Sequence, residues 1–204
     1  MLPTSDPVGL PGLAALGFGI ALFAVALLGA RLRARRDAAE QGGRRANSSI
    51  LWIALQGLAI GLAGAGPIYV VLDPLSSASL ITAAITLALM LGAVFLFDWS
   101  SRAMGKNWAL VARTRTDASL VTTGPFAYVR NPIYVALGLF MVAMAIAFGH
   151  TRMLIIAMPL FAFATWMRVS LEEKLLRAEF GAAYDAYSNR VKRFVPGLLY
   201  SNVR

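Results

Sequence analysis

The 204-residue chain contains no cysteine. Disulfides, thiolate nucleophiles and Cys-ligated metals are thereby excluded. It has one histidine, His150, so a multi-His metal site is excluded too. Charge is also scarce. Only 14% of residues are charged and 58% are hydrophobic, whereas an ordinary soluble domain has about 25% charged and about 45–50% apolar residues. The apolar excess is gathered into long runs, which points to an all-helical protein of the membrane.

Five runs qualify as spans: Val8–Ala30, Ser49–Leu72, Ala78–Phe97, Ile133–Phe148 and Met153–Val169. The first is uncharged and too long for the apolar core of a signal peptide, and no basic segment precedes it. The second carries Gln56 and several glycines that suit close helix packing. The last two are short, reaching about 24–26 Å against a ~30 Å hydrocarbon core. They read as a helical hairpin turning at Gly149–Arg152, with ends lengthened by Pro132 and by Ser170–Leu176.

The chain carries a net charge of +9, and its placement orients the protein. Of the nineteen Lys and Arg residues, Arg152 alone falls on one side of a five-span topology. The remainder lie after spans one, three and five. That face is expected to be cytoplasmic, with the N-terminus on the far side. The charge is thereby accounted for by topology and by attraction to anionic headgroups, without nucleic acid. The run Arg31–Arg36 reads as a topology anchor.

The stretch "LVTTGPFAYVRNPIYVA" (Leu120–Ala136) lies on the same face. Gly124-Pro125 signals a turn. Asn131-Pro132 signals a helix start, with Asn as cap and Pro at the first position. By themselves these residues fit a turn and helix start, with Tyr128 and Tyr134 in an aromatic belt. The last span ends "MRVSLEEKLLRAEFGAAYDAY". Arg168 and Glu172 are four apart and share a helix face. Glu172 and Glu173 sit where the apolar run ends, and carboxylates near membrane depth need a partner or a task. Phe180, Tyr184 and Tyr187 form an amphipathic stripe.

These two blocks, "LVTTGPFAYVRNPIY" and "EEKLLRAEFGAAYDAYSNRVKRFVP", resemble the integral-membrane methyltransferases. That group includes isoprenylcysteine carboxyl methyltransferases and phospholipid N-methyltransferases. The upstream "GKNWAL" (Gly105–Leu110) is similar to the Leu-Gly-x-x-Trp piece preceding the first block. The likeness covers about Asp98–Leu198; it divides the chain into a three-span region, 1–97, and a methyltransferase core, 98–204.

The resemblance implies methyl transfer from S-adenosylmethionine to a lipidic or amphiphilic acceptor taken from the bilayer. That acceptor is a carboxylate on a prenylated thioether or similar molecule, or a phospholipid amine. The cofactor-binding residues it implies are Leu120, Val121, Gly124, Tyr128, Val129, Asn131, Pro132, Tyr134, Glu172, Tyr184 and Tyr187. Arg130 and Glu173 are the expected catalytic pair, and Arg193 and Trp108 lie on the substrate side. Asn131 replaces the usual His, Phe126 a Tyr and Ala136 a common Gly, and the Asn tilts the reading toward an amine or lipid acceptor. A lipid-binding scaffold or small transporter would also explain the spans and the basic face. Against transport, no charged residue lies mid-span.

Overall fold

The computed structural model describes residues 5–36, 48–105 and 119–195. Among them the fold is all-helical: α1 (Leu10–Arg36), α2 (Ser48–Ala63), α3 (Ser77–Met104), α4 (Pro132–Ala147), α5 (Leu154–Phe180) and α6 (Ala182–Arg190). Short 3-10 turns at Gly124–Ala127 and Thr151–Met153 precede α4 and α5. Leu10–Ala34, Ser77–Met104 and Thr151–Phe180 are long and apolar enough to cross a membrane. Ile50–Ala63 and Pro132–Ala147 are shorter apolar helices.

α4 lies at the centre. Its Met141 and Ala145 pack with Ala59 and Ala63 of α2 and with Ala157 and Phe161 of α5. Its Ala143 and Ala147 meet Leu16 of α1 and Met90 of α3, and Ala136 meets Ala30 and Phe97. Alanine dominates because helices among lipid gain no hydrophobic free energy by associating; small residues instead permit close backbone approach and dense dispersion contact. Gly19 shows the same device: a Cβ there would stand 2.5 Å from Cβ of Met90. α1 packs along α3 and α3 along α4, while α2 packs along α5. The two helices of the expected hairpin, α4 and α5, therefore each find their main partner elsewhere.

Three segments close one end of the bundle. Val8 pairs with Val70, Asp6 N–H donates to Gly149 O at 2.8 Å, and Asp6 pairs with Arg152 at 3.4 Å. A ring nitrogen of the buried His150 bonds Pro67 O at 3.1 Å. At the opposite end Arg33 joins α1 to α3 through Asp98 and Ser101.

Helix limits differ from the hydropathy reading in two places. α2 stops at Ala63 and not at Leu72, because Gly64 and Gly66-Pro67 break the helix; Gly66 takes φ 144° and Pro67 has no N–H to donate. The apolar residues beyond run irregularly and pair with Val8. α3 continues past Phe97 to Met104. Its polar last turns are held by Asp98–Arg102 at 2.6 Å and by Ser100, whose hydroxyl donates to Leu96 O at 2.5 Å.

Candidate functional site

α5 has 27 residues, Leu154–Phe180, about 40 Å of helix, and Glu172 and Glu173 lie about 27–29 Å from its start, close to the level at which a ~30 Å core ends. The chain then turns at Gly181 (φ 48°) into α6, and Arg177 ties the two helices by pairing with Asp185 at 2.7 Å. Beyond α6 the chain returns to the loop before α4 and pairs with it as an isolated parallel bridge, Val129 with Lys192. Arg130 N–H donates to Lys192 O at 2.8 Å and Asn131 N–H to Arg193 O at 3.1 Å.

This return brings the expected catalytic pair together. Nε and Nη2 of Arg130 donate to Oε1 of Glu173 at 3.1 and 3.0 Å. Its Nη1 donates to Ser188 O at 2.7 Å and also to Val191 O. Arg193 grips the other oxygen, Oε2, through Nε at 3.0 Å and Nη2 at 2.6 Å. The guanidinium of Arg193 also stacks over Trp166, 4.2 Å from the ring centre. Both carboxylate oxygens of Glu173, whose side chain is 8% exposed, are thus engaged by cations. A buried charge this well matched resists change, and removing one partner costs roughly 3–5 kcal/mol.

Glu172 has different neighbours. Its Oε1 accepts from the Tyr134 hydroxyl at 2.6 Å and from Nε of Arg168 at 3.2 Å. Its Oε2 has no hydrogen-bond partner among the described residues. Arg168 also lies over the Tyr134 ring, 5.2 Å from its centre, and its Nη1 donates to Gln56 Oε1 at 3.0 Å. Gln56 in turn donates to Thr165 Oγ1 at 2.8 Å. A polar chain therefore runs from α2 through α5 to α4 among buried apolar side chains.

The aromatic residues divide into two groups. Tyr184 and Tyr187 of α6 are buried and meet edge to face, 6.2 Å between ring centres. Burial pushes both hydroxyls up to about 12, and the Glu173 carboxylate adds to the rise at Tyr184. The Tyr187 hydroxyl donates to Phe126 O at 2.7 Å, fixing α6 against the 3-10 turn. Tyr128 is exposed and its ring faces Trp99 at 6.4 Å. Gly124 takes φ 62° beside Trp99, where a side chain would be strained and crowded. Leu120 and Val121 are half-buried in the approach to this turn.

Pro132 is buried at the first position of α4, as the Asn-Pro pair implied. Asn131 does not cap the helix with its side chain. Its amide donates instead to Arg193 O at 3.3 Å, because the returning tail presents a carbonyl there. Trp108 lies outside the described residues. The sequence reading left out the Gln56–Thr165 pair, the Trp166 platform and Trp99. One signal was available for the first: a lone amide inside an otherwise apolar span is costly without a partner.

One protein-family model, that of phospholipid methyltransferase, matches residues 81–183. The matched segment runs from the first turns of α3 to the start of α6, and holds Arg130, Tyr134, Arg168 and both glutamates. No curated protein matches the chain. A family match across half the sequence, with apolar helices of membrane-spanning length, makes this chain a member of the phospholipid methyltransferase family.

Proposed function

We propose that the protein transfers a methyl group from S-adenosylmethionine to the headgroup amine of a phospholipid, at the cytoplasmic ends of α4 and α5. The observation that carries this reading is the unequal use of the two glutamates. Glu173 is consumed by Arg130 and Arg193, whereas Glu172 is anchored through one oxygen and offers the other. Such a carboxylate suits a ribose diol or a ligand ammonium, both of which only need an acceptor of fixed position. The family membership supports the same chemistry.

When bound, S-adenosylmethionine supplies a methyl group already activated on a sulfonium, so no covalent intermediate on the protein is needed. The chain's task is placement: holding acceptor and donor about 3–3.5 Å apart, in line and away from water. Glu172 holds the cofactor. Tyr134 orients Glu172 and stands at the start of α4. Arg130, Glu173 and Arg193 are positioning residues that lock the returning tail over the site. Tyr184 and Tyr187 pack beneath that tail and help exclude water. The acceptor amine reacts as its free base. Both carboxylate oxygens of Glu173 are occupied by Arg130 and Arg193, so the proton leaves to water on the cytoplasmic side.

Five membrane spans, with the N-terminus on the far side, complete the reading. The shorter α2 and α4 join the three long helices, and the 98–204 region carries the chemistry. The experiment is incubation of the purified full-length chain with methyl-labelled S-adenosylmethionine and phosphatidylethanolamine vesicles. Label is expected on the headgroup nitrogen. Label on an added prenylated thioether acid instead would redirect the acceptor assignment, and absence of cofactor binding would overturn the proposal.

A further inference from the structure

Arg130 and Arg193 share the single carboxylate of Glu173, which leaves one positive charge in surplus. Arg130 is engaged by Glu173 and by the carbonyls of Ser188 and Val191, and its side chain is 11% exposed. Arg193, at 25%, is engaged on one edge only. A guanidinium carries five N–H donors, and Glu173 takes Arg193 by its Nε–Nη2 edge. The end formed by Nη1 and the second proton of Nη2 has no hydrogen-bond partner among the described residues. That end is also open to the surface. The buried side-chain atoms without a partner among the described residues are Arg33 Nε, Thr86 Oγ1 and His150 Nδ1, and Arg193 Nη1 is not one of them.

The open end is held in place. Trp166 stacks on the guanidinium, 4.2 Å from the ring centre, and stands two helical turns before Glu173 on the same side of α5. Trp166 is itself exposed, as are Phe163, Ile156 and Ile155 earlier on α5. On a helix of membrane-spanning length an exposed apolar face meets lipid, and tryptophan favours the headgroup level. Arg193 therefore presents an unused pair of N–H donors where lipid reaches the site. A planar fork of that kind matches two oxygens of a phosphate, and the surplus charge calls for an anion. Resting on the reading that the acceptor is a phospholipid amine, we infer that Arg193, on its Trp166 platform, binds the phosphodiester of the acceptor lipid. Only two carbons separate that phosphate from the headgroup nitrogen. Holding it therefore restricts where the amine can lie.

The test is equilibrium binding of labelled phosphatidylglycerol to the full chain in detergent. That lipid carries the phosphodiester but no amine to methylate, so neither cofactor nor turnover is needed. Diacylglycerol with the same acyl chains is the reference without phosphate. Wild type is expected to prefer the phosphodiester lipid about tenfold, the scale of one charge-assisted hydrogen bond. Arg193→Lys keeps a cation for Glu173 but lacks the fork, and should lose most of that preference. Trp166→Leu leaves the Arg193–Glu173 pair and removes only the platform, so the preference should fall about threefold. In methyl-transfer assays the loss should appear in the KM for phosphatidylethanolamine and not in cofactor affinity.

Equal affinity of wild type for the two lipids would overturn the inference. So would a preference unchanged in Arg193→Lys, and Trp166→Leu decides the matter if that variant does not accumulate. Displacement of phosphatidylglycerol by an equal concentration of inorganic phosphate would overturn the lipid as the source of the anion. Weaker cofactor binding with an intact lipid preference would reduce Arg193 to a tail lock and overturn it as well. A wild-type chain that distinguishes the two lipids yet moves no label from S-adenosylmethionine to phosphatidylethanolamine would instead overturn the functional reading and leave the phosphate site standing.

Discussion

Glu172 and Glu173 are neighbours in sequence with opposite situations. Arginines hold both oxygens of Glu173, while Glu172 has one oxygen held and one without a partner among the described residues. Substitution should separate them. Glu172→Gln is expected to reduce methyl transfer about 100-fold, through lost charge-assisted hydrogen bonding, with little change in the denaturation midpoint. Glu173→Ala strands two cations and should lower stability by roughly 3–5 kcal/mol. Paired activity and denaturation measurements on the two variants check this.

Arg130 serves Glu173 and two backbone carbonyls at once. Lysine has a single ammonium and cannot reproduce that fork. Arg130→Lys should therefore loosen the segment after α6, raising its rate of limited proteolysis by about tenfold or more, while α1 to α5 stay intact. Mass spectrometry of the fragments locates the cut, and a cleavage pattern like that of wild type would refute the assignment of Arg130 as the tail lock.

Alkaline pH probes the seat of α6. The Tyr184 and Tyr187 hydroxyls are raised from an ordinary value of 10 to about 12, chiefly by burial. The folded state therefore holds these protons more tightly than the unfolded one. Their contribution to stability is complete below pH 10 and is lost as pH climbs through about 12. Denaturation midpoints should show no slope from these phenols near neutrality and a decline above pH 10. Tyr187→Phe should flatten part of that decline, and should also remove the bond to Phe126 O at a cost of about 1 kcal/mol.

The natural absence of cysteine makes topology directly accessible. Single cysteines at the exposed positions Thr151 and Asn189 should react with a membrane-impermeant maleimide from opposite sides of sealed vesicles. Labelling of both from one side would contradict five spans.

The helical class was readable because apolar runs of that length have few other uses. The end of α2 was not, since Ile68–Leu72 is as apolar as the helix before it and only the Gly-Pro break distinguishes it. The extension of α3 was obscured for the opposite reason: Asp98 to Arg102 look like loop residues until their mutual bonds are seen. The glutamate pair stood out as a pair. How each member is held depends on Arg193, twenty residues from Glu173, and on Tyr134 of α4. Distances of that kind leave no local pattern. The link from Gln56 to Thr165 spans 109 positions.

The tail is recognised by its main chain. Ser188, Val191, Lys192 and Arg193 each offer a carbonyl oxygen to Arg130 or Asn131. Such a lock ignores the identity of the side chains at Ser188 and Val191 so long as the backbone path is kept. Those positions can therefore drift, or be redesigned to suit a different lipid surface, without disturbing the closure.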